Sequence, residues 1–286
     1  MKIIKLTPQG FCGGVKYALN ILDNALADEN VKKPIYLLGN IIHNHYVIDE
    51  YKNKGVITLN TKEKSRLELL NEIYDGTVIL SAHGTPKEIK KIALDKGLNV
   101  IDAICPNVKL IHQKIEDRLQ QGYKVIYIGA KKHPECEGVL GISNDIILVS
   151  SLDDIDNLDI KSNLLYVTNQ TTLSKYDLAN IFNKIVNKYP FAIIDDKICN
   201  ATTVRQEAVM NQELVDLCIV VGDKASSNTT KLAKISQDNG IKTIFCESLK
   251  DLDINELKDI NSVSITSGAS TPGYLVDEII EYLNKM

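Results

Sequence analysis

The chain has 286 residues, 44% of them apolar and 24% charged, an ordinary soluble composition with enough apolar side chain for a sizeable core. Its net charge of −4 gives no global positive field, so nucleic acid is not an expected partner and an anionic ligand must be held by local donors. No apolar run approaches the roughly 20 residues that span a bilayer, and the apolar stretch at the N-terminus is too short for a signal peptide, with Gln9-Gly10 interrupting it. No membrane association and a cytoplasmic location are therefore expected.

In chain order, KIIKL reads as a strand that leads to Cys12. Val15, Leu19, Leu22 and Leu26 then fall at helical spacing. PIYLLGN is a strand ending at Gly39, with His43 four residues beyond. VITL and TVILSAHGTP are the next two strands, and NVIDAIC leads into Cys105. The same order then restarts. A helix carries Val108, Ile111, Ile115 and Leu119. KVIYIGA ends at Gly129, with His133 four residues on. DIILVS and LLYVTNQTT follow, and FAIIDDKIC leads into Cys199. The third pass has a helix read from Val204, Ala208 and Val215. LCIVVGD then ends at Gly222, with Ser226 four residues on, before KTIFCES, SVSITSGASTP and the helix GYLVDEIIEYL.

The cysteines at 12, 105 and 199 are thus 93 and then 94 residues apart, each at one place in a threefold repeat. The third pass lacks its last strand, which KIIKL can supply. The expected units are 13–104, 105–198 and 199–286, the last completed by 1–12. Val- and Ile-rich strands alternating with helices argue for parallel α/β units, whose ligands bind at the carboxyl ends of strands. Three such units in a trefoil-like arrangement would bring the three cysteines to a common centre.

A cysteine at a strand end is usually a small buried apolar residue, and that reading suits Cys218 and Cys246. Cys12, Cys105 and Cys199 differ. Each stands before a helix, whose N-terminus favours thiolate, the form that binds metal. Three soft thiolates with no fourth suggest an iron–sulfur cluster with one iron open, zinc being the alternative. No CxxC pair occurs, which excludes a zinc ribbon or a ferredoxin-type motif. Cys136, in KKHPECEG, reads as an inert wall residue in preference to a fourth ligand or a redox thiol.

His43, His83 and His133 lie just past strand ends and read as substrate contacts that donate to phosphate oxygens, whereas His45 and His112 read as surface or packing residues. Ser226, Ser227 and Asn228 precede a helix, where they can cap it and cradle an anion together; Ser270 comes from the equivalent strand end. Glu135, beside His133, reads as catalytic, and Glu137 as at most supporting. Neither a Walker P-loop nor GxGxxG occurs.

Taken together, GFCGGV, HNHYV, SAHGTP, DAICPNV, HPECEG, NQTTLS, ICNATTVRQE, VGDKASSNT and SGASTP, in that order over nearly the whole chain, resemble the 4-hydroxy-3-methylbut-2-enyl diphosphate reductase family of the non-mevalonate isoprenoid route. The resemblance implies a trefoil of three α/β domains. It implies a [4Fe–4S] cluster on Cys12, Cys105 and Cys199. It also implies diphosphate binding by His43, His83, His133, Ser226, Ser227, Asn228 and Ser270, with Glu135 and Thr171 near the substrate hydroxyl. The implied reaction is a reductive dehydroxylation to isopentenyl and dimethylallyl diphosphate, with the hydroxyl on the open iron. No flavin or nicotinamide motif is present, so electrons are expected from a separate protein such as a ferredoxin or flavodoxin. The chain departs from the family pattern at Tyr17, where an arginine is usual, and at Cys136, where an aliphatic residue is usual. A non-redox iron–sulfur hydro-lyase and a non-enzymatic iron–sulfur sensor are the competing readings. The sensor would not need the histidine and serine positions to converge.

Overall fold

A computed structural model describes residues 1–59 and 63–286. The first pass of the chain forms β1 (Lys2–Lys5), α1 (Gly13–Ala27), β2 (Ile35–Leu38), α2 (His45–Asn53), β3 (Ile57–Leu59), α3 (Arg66–Asn71), β4 (Thr77–Leu80), α4 (Lys87–Asp95) and β5 (Asn99–Asp102). The second forms α5 (Pro106–Gln120), β6 (Lys124–Ile128), α6 (Pro134–Leu140), β7 (Ile146–Val149), α7 (Leu152–Asp156), β8 (Leu165–Asn169), α8 (Lys175–Lys188) and β9 (Ile193–Ile194). The third forms α9 (Asn200–Met210), β10 (Leu217–Val221), α10 (Ser227–Asp238), β11 (Thr243–Cys246), two short 3₁₀ turns, β12 (Ser262–Ser267) and α11 (Gly273–Lys285).

The strands make three four-stranded parallel sheets, ordered β3-β2-β4-β5, β7-β6-β8-β9 and β11-β10-β12-β1. The order is the same each time, and β1 occupies the place of β5 and β9, with Ile3 opposite Val263 and Lys5 opposite Ile265. The fold class is α/β. The central strands β4, β8 and β10 are buried along their whole length, as their near-continuous apolar runs require when helices cover both faces.

By contact density the chain divides into two compact units, residues 1–15, 43–47 and 199–286 in one and 16–42 and 48–198 in the other. In the first, Leu217, Ile219, Val221, Val263 and Ile265 pack under Val276, Ile279 and Leu283 of α11, while Val209, Cys218, Val220 and Leu232 fill the opposite face. In the second, Leu38, Leu70, Val78 and Leu80 form one core, and Ile126, Val167, Leu178 and Ile185 another.

Two expectations need correcting. Val215 is not on the helix that follows Cys199: α9 stops at Met210, and Val215 packs from the connecting loop. That helix buries Thr202, Arg205, Gln206 and Val209, so its inward face is largely polar and an apolar periodicity could not delineate it. The strand expected before Cys199 shrinks to the two residues Ile193 and Ile194.

Candidate active site

Each of Cys12, Cys105 and Cys199 immediately precedes a helix; none is in a disulfide, and all three are half-buried. The same backbone device holds two of them: Cys12 N–H donates to Ala269 O at 3.0 Å, and Cys105 N–H to Ala82 O at 3.0 Å. Neither Cys105 nor Cys199 uses its sulfur to cap its helix. Cys12 Sγ accepts a hydrogen bond from Val15 N–H at 3.4 Å, in the first turn of α1.

Arg205, not foreseen as a site residue, is almost fully buried in the unit that holds Cys12 and Cys199. Its guanidinium donates to Gly10 O at 2.7 Å and Ala201 O at 2.8 Å. Burial lowers its pKa, and the charges of Cys12 and Cys199 act against that. A buried cation facing two cysteines balances the negative charge of a metal–thiolate centre. The donor set therefore fits an iron–sulfur cluster. Its only signal in the sequence is its place in VRQE, one helical turn and a half beyond Cys199.

The same compact unit carries a polar cradle. Ser226 caps α10, its Oγ accepting from Thr229 N–H at 3.4 Å. Ser270 Oγ donates to His43 O at 2.9 Å and lies 3.4 Å from Ser226 Oγ. These contacts tie the three strand-end segments together. Asn228, in the first turn of α10, is 3% exposed, and both atoms of its amide lack a hydrogen-bond partner. A buried amide without partners carries a desolvation cost of about 1–3 kcal/mol. A ligand with several acceptors, set at a helix N-terminus, would remove it. Burial lowers the His43 pKa, against the opposing charge of Asp223.

The second compact unit holds Glu135, Thr171, His83 and His133. His133 caps α6, its Nδ1 accepting from Glu135 N–H at 3.2 Å. In the neutral ring this puts the proton on Nε2. His83 meets His133 edge to face, ring centroids 5.7 Å apart. Gly84, next to His83, has φ +88°, and a Cβ there would lie 2.9 Å from the ring of His112, so glycine is required on both counts. Arg66, also unforeseen, is buried and donates to Gly84 O at 3.1 Å, fixing this turn.

Glu135 is 1% exposed. Its Oε1 accepts from Thr171 N–H at 2.9 Å and from Tyr127 Oη at 3.0 Å, and its Oε2 lies 2.8 Å from Thr171 Oγ1. Burial pushes its pKa above the usual carboxylate range, and the hydrogen bonds from Thr171 and Tyr127 act against that. A buried carboxyl whose neutral form is favoured by burial, set beside a hydroxyl, can serve as a general acid. In the sequence Tyr127 is one position of a strand and nothing more, because a near-continuous apolar run such as KVIYI does not distinguish a core tyrosine from a functional one.

Cys136 is buried against Gly129 and Gln170, with Sγ 3.6 Å from Gln170 Oε1. Burial and the charge of Glu135 push its thiol up to about 12. At neutral pH it is a neutral thiol. Tyr17 is exposed, and His45 is exposed and pairs with Glu247 at 2.8 Å.

A model described as LytB protein matches residues 3–284. The chain is 46% identical, over 288 aligned positions, to the 4-hydroxy-3-methylbut-2-enyl diphosphate reductase of Geobacillus kaustophilus, covering 100% of this chain and 90% of that protein. It is 44% identical to the enzyme of the same name from Bacillus licheniformis, covering 100% and 91%. Among solved structures, it is similar to the E-1-hydroxy-2-methyl-but-2-enyl-4-diphosphate reductase from Plasmodium falciparum, with a TM-score of 0.89 and 32% identity over 99% of this chain and 88% of that one. A second, titled the terminal enzyme of the non-mevalonate pathway, superposes with a TM-score of 0.70 at 32% identity over 100% of both chains. The chain belongs to the LytB protein family.

Proposed function

We propose that the chain reduces 4-hydroxy-3-methylbut-2-enyl diphosphate to isopentenyl and dimethylallyl diphosphate. The observation that carries this reading is the buried Glu135–Thr171 pair beside His133, in a chain akin over its whole length to reductases of that name. The three-unit division, 13–104, 105–198 and 199–286 completed by 1–12, belongs to the same proposal.

In this reading Cys12, Cys105 and Cys199 hold a [4Fe–4S] cluster. When bound, the cluster would relay the donor's two electrons one at a time and would offer an open iron as a Lewis acid. Arg205 offsets its charge. Ser226, Ser227, Asn228 and Ser270, with His43, His83 and His133, hold the diphosphate by donating to its oxygens. His133, with its proton on Nε2, is set to donate. Thr171 orients the substrate hydroxyl, and Glu135 supplies the proton with which that oxygen leaves as water. One proton and two electrons break the C–O bond, and a second proton completes either product. Electrons come from a separate donor such as a ferredoxin or flavodoxin. Among the described residues, no helix is long and apolar enough to cross a membrane, and a cytoplasmic location is proposed.

The test is anaerobic purification followed by an assay with the hydroxylated diphosphate and dithionite-reduced viologen. Both products are expected from wild type. Cys12→Ser, Cys105→Ser and Cys199→Ser should each abolish turnover, whereas Cys136→Val, Cys218→Ser and Cys246→Ser should retain most of it. Failure to convert substrate in brown, iron- and sulfide-bearing protein would sink the reading. Turnover without reductant would favour a hydro-lyase.

A further inference from the structure

Tyr127 is fully buried on β6, and its hydroxyl contributes nothing to packing that a phenylalanine ring would not. That hydroxyl donates to Glu135 Oε1 at 3.0 Å. The same oxygen accepts Thr171 N–H at 2.9 Å, a group that can only donate. Two donors converge on Oε1. A carboxylic acid accepts well through its carbonyl oxygen and poorly through its hydroxyl oxygen, so in the protonated form of Glu135 Oε1 is the carbonyl and Oε2 carries the proton. Oε2 is the oxygen that lies 2.8 Å from Thr171 Oγ1.

We infer that Tyr127 is a positioning residue that fixes the Glu135 proton on the oxygen facing Thr171. This rests on the reading of Glu135 as the acid. The relay balances: Oε2–H passes to Thr171 Oγ1 as the threonine's own proton passes to the leaving hydroxyl. Glu135 then remains as a carboxylate accepting three hydrogen bonds, from Tyr127 Oη, Thr171 N–H and Thr171 Oγ1. The tyrosine thereby also stabilises the charge that proton transfer creates. Its own hydroxyl stays protonated, because burial and the adjacent carboxylate hold its pKa well up. The other groups about Glu135 are Cys136, a neutral thiol on α6, His133 at the cap of α6, and the uncharged Thr171 after β8.

The discriminating variant is Tyr127→Phe, which keeps the ring and deletes the donor. Removing a hydrogen bond to the charged form makes the acid weaker. The alkaline limb of the kcat profile should move up by about one pH unit, while plateau kcat falls about tenfold. A purely structural defect lowers turnover without moving that limb. The protonated carboxyl stretch of Glu135, followed by infrared difference spectroscopy and identified by its loss in Glu135→Gln, should persist to correspondingly higher pH. It should also shift in frequency as its carbonyl loses a donor. Tyr166→Phe is the control: it deletes a hydroxyl that donates to Asp195 at 2.6 Å, and its profile should match wild type. If Glu135→Gln loses turnover but Tyr127→Phe keeps the wild-type limb and carboxyl band, the Tyr127 assignment is overturned alone. If Glu135→Gln turns over normally, the acid reading fails with it.

Discussion

At the scale of single residues, the site separates groups that are satisfied from groups that are waiting. Glu135 belongs to the first kind: its carboxyl oxygens meet Tyr127 Oη, Thr171 N–H and Thr171 Oγ1 within one compact unit, and the role proposed for it is to release a proton. Glu135→Gln keeps shape and neutrality but has no acidic proton. Turnover should fall roughly 100-fold or more, with substrate affinity retained. Thr171→Ala should lose less, since water can replace its hydroxyl; near-equal single-turnover C–O cleavage in Glu135→Gln and wild type would show the proton coming from elsewhere. Asn228 belongs to the second kind, a buried amide with no partner. Asn228→Ala removes a desolvated group and should leave thermal stability equal or raised by about 1 kcal/mol, while KM rises at least tenfold. A drop in melting temperature with KM unchanged would make Asn228 structural. The candidate residues were legible wherever the repeat placed them at strand ends, as with His43, His133, Ser226 and Ser270. Arg205, Arg66 and Tyr127 were not, because each acts from inside a helix or strand, and in a single sequence a buried cation or hydroxyl there looks the same as a packing residue.

Among the secondary-structure elements, the link between β6 and α6 matters most, because it sets where Glu135 lies. Gly129 ends β6, and α6 turns back so closely that a Cβ on Gly129 would collide with Cys136 Sγ. Gly129→Ala should destabilise the protein by about 1–3 kcal/mol, the usual cost of overpacking. Cys136→Ala vacates the same space, so the double variant should recover most of that loss in a thermal-melt cycle. A strictly additive cycle would mean the glycine is needed for its backbone and not for this contact. The glycine was readable as a strand terminator, and so were most strands, since parallel strands buried on both faces leave unbroken Val/Ile runs such as LCIVV. Short elements were less visible. The helices α3, α6 and α7 span six, seven and five residues, too few turns for a periodicity to emerge. The boundary of α9 was missed for a different reason. Its inward face carries Arg205 and Gln206, so the hydrophobic pattern pointed past its end to Val215.

For the molecule as a whole, titration couples the site to stability, and the signs oppose one another. His43 and His112 have folded pKa values lowered from 6.5 by burial. Each therefore contributes stability that is present above pH 6.5 and is lost as pH falls through its folded value, where a buried ring must take up charge. Glu135 has a folded pKa raised from 4.5, again by burial. Its contribution runs the other way, full below pH 4.5 and lost as pH rises through its folded value. Asp154, held down by Ser150 and Ser151 N–H groups, adds stability that is present above 3.8 and lost below it. His43 and His112 share one sign, and through them the melting temperature should decline as pH drops below 6.5. The variants separate the terms. In His112→Gln the decline should flatten, because a neutral amide has nothing to gain from acid. In Glu135→Gln it should steepen, because a group that gains on acidification is gone. Melting curves of anaerobically prepared protein across this range decide it. Parallel profiles for wild type and both variants would mean that neither burial perturbs its group as the structure indicates, and the neutral carboxyl on which proton delivery depends would lose its support.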